Sequence, residues 1–231
     1  PTGFFKGEGL RSFIEHAVRE YNGSDRFSSL DCQLFIGATN HDSFEHVVFG
    51  EPPMDFMSIS DAVRASCALP PIFTPYKIGE EYYIDGQITH TCNLEMIVRQ
   101  GCNLVIIIDP ILPFISTNPG YAESQGGAYT LIQTVKSLIH TRFRNALNFM
   151  TEKYPDVDFI VFQPYENCAQ VMSGSPMKIR FNKDIIKLAF LGTLMRLRER
   201  HHVYQAKLLK YGLSLKSPDE LMKLEKTGFV V

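Results

Sequence analysis

Apolar residues in this chain recur at helical spacing in some stretches and crowd together in others. Leu10, Phe13, Ile14, Ala17, Val18 and Tyr21 fall on one face at three- and four-residue intervals, which predicts a helix from about Glu8 to Tyr21. Gly23 stands where the C-terminal cap of such a helix belongs. Gln33–Thr39 and His46–Phe49 read as short strands separated by a polar turn. A short helix over Asp61–Cys67 follows, with Ser60 as its N-cap and Pro70-Pro71 as its stop, because proline cannot continue a helical ladder. Glu81–Asp85 predicts a strand that ends in an acid with Gly86 behind it. Asn93 is placed to cap a helix carrying Leu94, Ile97 and Val98 and ending at Gly101.

In the second half, Leu104–Asp109 is a continuous aliphatic run, the pattern of a strand buried on both faces of a parallel sheet. Ile132, Val135, Ile139, Phe143, Ala146 and Met150 predict a long core-facing helix over Tyr129–Thr151. Asp158–Gln163 is a further strand. A last long helix spans about Lys183–Tyr211, with Ile185, Leu188, Leu191 and Met195 as its stripe and Gly212 as its stop. Ser217-Pro-Asp-Glu opens a short final helix, since Ser caps and Pro suits the first turn. Helices alternating with buried strands predict an α/β domain. Pro110–Gly127 stands apart, with three prolines and with apolar Ile111, Leu112, Phe114 and Ile115. It reads either as an ordered surface excursion or as a mobile lid hinged at Gly126-Gly127.

Composition narrows the classes. Of 231 residues 45% are hydrophobic, enough for a packed core, and Lys+Arg 23 against Asp+Glu 25 gives a net charge of -2. No basic balance favours a nucleic-acid partner. The longest aliphatic run, Leu104–Ile108, falls far short of the roughly 20 residues of a membrane-spanning helix. Five cysteines without a C-x-x-C pair argue against a disulfide framework or a zinc site and for a reducing, cytoplasmic setting. The chain starts at Pro1 with no signal-peptide pattern, and is read as a piece of a longer protein.

Few residues stand out chemically. His16 and His140 are single residues on helices, and the adjacent His201-His202 point to different sides of one, so neither arrangement makes a metal pair. Gly7-Glu8-Gly9 follows no strand and lacks the third glycine of a phosphate-binding fingerprint. Two acids sit at strand ends, Asp85 and Asp109. Ligand crevices in open α/β sheets lie beyond the carboxyl ends of strands, so both are candidates by position. Each could equally begin a turn, Asp85 with Gly86 and Asp109 with Pro110. Spacing alone leaves both readings open.

A resemblance adds what spacing does not. Ser60-Asp-Ala-Val-Arg-Ala-Ser-Cys-Ala-Leu-Pro-Pro-Ile-Phe, then Tyr83-Ile-Asp-Gly-Gln-Ile, then Gly101-Cys-Asn-Leu-Val-Ile-Ile-Ile-Asp resemble, in that order, the patatin-like acyl hydrolases. Phe35-Ile-Gly-Ala-Thr-Asn is similar to the strand before that family's helix-and-proline segment, and Gln163-Pro-Tyr-Glu and the last long helix are similar to its C-terminal part. The likeness covers most of Leu30–Gly212 and is strongest over Ser58–Asp109.

The resemblance implies a three-layer α/β/α sandwich with a mostly parallel central sheet, of which residues 1–231 form the C-terminal portion of a single domain and 212–231 an extension. It implies phospholipase-type ester hydrolysis by a Ser–Asp dyad, with phospholipid or acylglycerol as substrate, peripheral contact with a membrane, and no cofactor. Asp85 would be the base that deprotonates the serine, and Gly86 would let the backbone turn beside it. The serine of the family lies in a G-x-S-x-G elbow, preceded by a glycine-rich oxyanion loop. Neither motif occurs in these 231 residues, and the nearest sequence, Ser173-Gly-Ser-Pro, lacks the second glycine. The nucleophile is therefore expected on a segment N-terminal to Pro1, and the chain by itself is expected to be inactive. Gln87 replaces a usual second glycine, and His90 stands near a position that is often Asn. The alternative is a catalytically inactive patatin-like module used for binding or assembly.

Overall fold

The structure is a computed structural model, and it describes residues 2–164 and 182–227. The backbone packs as two units, Pro1–Asn93 and Leu94–Val231. The first holds helix α1 (Glu8–Asn22), strands β1 (Ile36–Asn40) and β2 (His46–Phe49), helix α2 (Ile59–Ser66), and strands β3 (Tyr76–Ile78) and β4 (Glu81–Asp85). Its four strands form one sheet in the order β2-β1-β4-β3, and every pairing in it is antiparallel.

Register decides which side chains meet. Ala38 pairs with Val47 and with Asp85, and Thr39 pairs with His46 and with Ile84. Side chains alternate along a strand and match across a pair. Ala38, Phe49 and Tyr83 thus share the face that packs with Ile59, Ala62 and Ala65 of α2 into the core of this unit. Thr39 and His46 lie on the opposite face. The buried guanidinium of Arg64, on α2, donates to the carbonyls of Lys6 and Thr74 and lies over the rings of Phe73 and Tyr76. It thereby ties the entry segment to the loop after α2, where Phe4 and Phe5 donate to the carbonyls of Pro71 and Ile72.

The caps show how local chemistry places α2. Its N-cap is Ser58, whose hydroxyl accepts from the Asp61 N–H at 3.0 Å and donates to the Asp61 carboxylate at 2.6 Å. Ser60, the cap expected from the sequence, instead sits in the first turn. There its N–H and hydroxyl both donate to the buried Asp25 carboxylate, at 3.1 and 2.6 Å. Gly23 does end α1, with φ 71° and its N–H on the Arg19 carbonyl, a left-handed conformation that costs glycine little.

The second unit holds α3 (Leu94–Arg99), β5 (Leu104–Ile108), α4 (Tyr121–Ser124), α5 (Gly127–Lys153), β6 (Asp158–Phe162), α6 (Asn182–Glu199), α7 (His201–Leu209) and α8 (Pro218–Thr227). β5 and β6 pair in parallel, Leu104 opposite Asp158 through Ile108 opposite Phe162. The chain is thus α/β, and the expected parallel ladder is present in β5–β6. The sheet of the first unit differs from the mostly parallel expectation. There β1–β2 and β3–β4 each follow directly in sequence and turn back on one another, and β1 and β4, connected through β2, α2 and β3, also run antiparallel.

Two further differences lie in this unit. Val105 and Ile107 are buried, but Ile106 and Ile108 are 55% and 78% exposed, so β5 buries one face and not two. The last long helix is two helices, because Arg200 leaves the helical conformation (φ -109°, ψ 23°) between α6 and α7. On α6 Leu194 is buried, while Met195 is exposed. The final helix opens as expected: the Ser217 hydroxyl accepts from the Glu220 N–H, and the Glu220 carboxylate accepts from the Ser217 N–H and hydroxyl. Pro110–Gly127 contains α4 and packs on the start of α5, with the Phe114 N–H on Gln133 Oε1 at 2.8 Å and the Phe114 ring against Tyr121. Ser173-Gly-Ser-Pro and Cys168 lie outside the described residues.

Candidate active site

β4 brings Asp85 to the end of the antiparallel sheet, where the chain turns into a single 3-10 turn, Gly86–Ile88. Pairing of Asp85 with Ala38 sets its side chain on the face that carries α2, and its N–H donates to the Ala68 carbonyl at 3.1 Å. The Asp85 carboxylate accepts one hydrogen bond, from the Gln87 N–H at 2.9 Å. Burial pushes the Asp85 carboxyl above the usual carboxylate range, and the Gln87 N–H only partly opposes that. A half-buried carboxylate with few donors binds a proton more tightly than one in water.

Gly86 is fixed by lack of space. A Cβ built there would lie 2.5 Å from the Gly37 carbonyl oxygen and 2.7 Å from its carbonyl carbon, so any larger residue would push β4 away from β1. Close approach of two backbones, and not a left-handed turn, is what the glycine provides.

Cys67, at the C-terminal end of α2, stands near enough to Asp85 for the two charges to repel. Burial first, and Asp85 second, raise the thiol above its ordinary value against a weaker opposing pull from Arg64. This cysteine is held as the neutral thiol, which is the poor nucleophile of the two forms.

Behind the turn, on the other face of the sheet, lies a polar set that the sequence reading did not assemble. The buried Thr39 hydroxyl donates to the Asp85 backbone carbonyl at 3.1 Å and lies 2.8 Å from the Thr89 hydroxyl. His46 Nδ1 is 3.2 Å from that Thr89 hydroxyl, and His46 Nε2 is 2.8 Å from Asn93 Oδ1. The His90 ring stacks on His46 with centroids 4.2 Å apart. Asn93, expected as a helix cap, directs its amide oxygen at this histidine. The signal was the polar pair Thr39 and His46 at opposed positions of two short strands, and it becomes visible only once their register is known.

Asp109, the other strand-end acid, is differently placed. It is buried, accepts from the Ile111 N–H at 3.1 Å and from Gln163 Nε2 at 2.8 Å, and lies 4.0 Å from His140 Nδ1. Both oxygens are engaged in shaping the turn after β5. Of the other histidines, His201 Nε2 faces the Lys216 carbonyl at 3.1 Å and His16 pairs with Glu20 at 3.9 Å on the surface of α1. Among the described residues no group of three or more His, Cys, Asp or Glu is gathered as metal ligands would be, and no described helix is long and apolar enough to cross a membrane.

A family model described as Patatin-like phospholipase matches residues 1–98. The match contains Asp85, Gly86 and the whole helix-and-proline segment, and it spans the first unit and most of α3. It begins ahead of Leu30 and ends before β5. Residues 1–98 are thus similar to the patatin-like phospholipases.

Proposed function

We propose that this chain supplies the acid half of a serine lipid acyl hydrolase, with Asp85 as the base of a Ser–Asp dyad and the serine on a segment N-terminal to Pro1. The observation that carries the reading is the state of Asp85. Within the stretch matched by the family, it is a strand-end carboxylate, half-buried, engaged by one N–H, and raised in proton affinity by burial. A base of that kind accepts a hydroxyl proton more readily than an ordinary aspartate does.

In the proposed cycle the serine oxygen attacks the ester carbonyl of a phospholipid or acylglycerol while its proton passes to the Asp85 carboxylate. The tetrahedral oxyanion is held by N–H donors of the upstream glycine-rich loop. Collapse expels the alcohol, which takes the proton back from Asp85, and leaves the acyl group on the serine. Water, deprotonated by Asp85, then releases the fatty acid and restores the hydroxyl. Gly86 acts by letting β4 approach β1, which fixes where Asp85 points. Cys32, Cys67 and Cys102 are free thiols, in keeping with a reducing, cytoplasmic setting; peripheral contact with a lipid surface is part of the same proposal.

The experiment compares two proteins on a p-nitrophenyl ester with a fluorophosphonate probe. Residues 1–231 alone should give neither turnover nor labelling, because a base without a nucleophile forms no acyl-enzyme. Joined to its natural upstream segment, the protein should turn over ester and label on one serine. Labelling and a burst from residues 1–231 alone would overturn the proposal, as would an upstream segment without a G-x-S-x-G. In the latter case the inactive-module reading takes its place.

A further inference from the structure

The groups behind the Asp85 turn pose a question of proton count. The Asp85 carbonyl and Asn93 Oδ1 can only accept, so Asn93 requires a proton on His46 Nε2. A neutral imidazole carries one ring proton, so Nδ1 is then an acceptor and must take its proton from Thr89. That leaves the Thr39 proton to serve both the Thr89 hydroxyl and the Asp85 carbonyl. Two hydroxyl protons cannot fill the three contacts Nδ1–Thr89, Thr89–Thr39 and Thr39–Asp85. The additional 3.5 Å contact from the Thr89 hydroxyl to the Gly86 carbonyl consumes a proton and supplies none.

The count changes when the ring gains a proton. Nδ1–H then donates to Thr89, Thr89 donates to Thr39, and Thr39 donates to the Asp85 carbonyl. All three contacts are filled, and all three point the same way. We propose that His46 is a positioning residue for the Asp85–Gly86 turn, acting through Thr89 and Thr39, and that its charge sets the direction of the hydrogen-bond chain ending on the Asp85 carbonyl. The functional meaning rests on the reading of Asp85 as a base, but the chain of contacts does not.

The surroundings leave His46 able to switch. Among the described residues, the ring meets Gly37 and Thr39 from β1, and Thr89, His90 and Asn93 from the segment after β4. His90 is the titratable member of that set; the Asp85 carboxyl lies on the opposite face of the sheet. Burial, and after it the nearness of His90, hold His46 below the ordinary histidine range, against a smaller opposite pull from Asn93. The neutral ring therefore prevails near neutrality, and the completing proton arrives on acidification.

Heteronuclear NMR on the 231-residue chain tests this without reference to activity. The background is Asp85→Asn, which removes the carboxyl titration at position 85 and keeps the backbone carbonyl. At neutral pH the His46 ring should be the Nε2–H tautomer. On acidification the carbonyl carbon at position 85 should shift with the same midpoint as the His46 ring. Adding Thr89→Val should abolish that carbonyl shift while His46 still titrates, and Thr89→Ser should restore it. If Thr89→Val does not fold, Thr39→Ser and Thr39→Val make the same comparison from the next link. An Nδ1–H tautomer at neutral pH, a carbonyl indifferent to the His46 midpoint, or a shift that survives loss of both hydroxyl links would overturn the proposal. Failure of the dyad would appear elsewhere, as ester turnover that persists in Asp85→Asn.

Discussion

Two aspartates end strands in this chain, and their surroundings make them different reagents. Asp109, after β5, gives both oxygens to hydrogen bonds that shape a turn, one to the Ile111 N–H and one to Gln163. Asp85, after β4, gives one contact to the Gln87 N–H and is otherwise desolvated, which raises its proton affinity. Position at a strand end selects both residues. What separates them is the number of donors that already claim the carboxylate, since a fully engaged acid is structural and a lightly engaged, half-buried one is available to a substrate proton.

Exchanging the two acids for amides should separate the roles most widely. If an upstream segment supplies the serine as proposed, Asp85→Asn in the joined protein should lower kcat by roughly 10²–10⁴-fold, the usual contribution of a general base. Asp109→Asn should leave kcat within about tenfold, as expected of a residue acting through structure. Steady-state kinetics with matched melting curves checks both, and equal losses would erase the contrast.

The next effects are on stability. Gly86→Ala places a methyl group 2.5 Å from the Gly37 carbonyl oxygen, so it should cost about 1–3 kcal/mol, as overpacking does, in denaturant unfolding. Asp109→Ala leaves the Ile111 N–H and Gln163 Nε2 without their acceptor and should cost about 1–3 kcal/mol. If Asp109→Ala were neutral, the structural role given to that acid would be wrong.

The smallest effect concerns the segment after Asp109. Leu112 and Phe114 are half-buried, the Phe114 ring against Tyr121, whereas Ile115 is 80% exposed. Replacing Leu112 and Phe114 with Ser should lower hydrolysis of vesicles and spare a short soluble ester if the segment admits lipid. A stability loss near the roughly 3–5 kcal/mol of removing a buried Phe would show that it is core.

How much was legible in the sequence follows from which forces are local. β4, α5 apart from its first and last two residues, and the capping of α8 were readable, because a period of two, a period near 3.6 and a Ser cap each act within a few residues. The break at Arg200 was not readable, since no Pro or Gly marks it. The Ser58 cap was mistaken for Ser60 because both are serines near the helix start. Only the tertiary contact with Asp25 takes Ser60 out of that role. The aliphatic run of β5 called for burial on two faces, and Ile106 and Ile108 remain open on one. At the site, Asp85 and Gly86 were found by resemblance, whereas Thr39, His46, Thr89 and Asn93 meet only through strand register, which is non-local.

The central claim is that Asp85 is a desolvated carboxyl kept available for a proton, and its own titration tests that most directly. A carboxyl whose folded pKa lies above its unfolded value costs stability when ionised. The cost is absent below the ordinary aspartate range, about 3.9, grows as pH rises through the raised folded value, and is complete above it. Carbon NMR of the Asp85 carboxyl should therefore give a midpoint above the ordinary range. Melting curves should show Asp85→Asn more stable than the parent at neutral pH, with the gain vanishing in acid. A midpoint at or below the ordinary value, together with an Asp85→Asn variant that is less stable at neutral pH, would contradict the account.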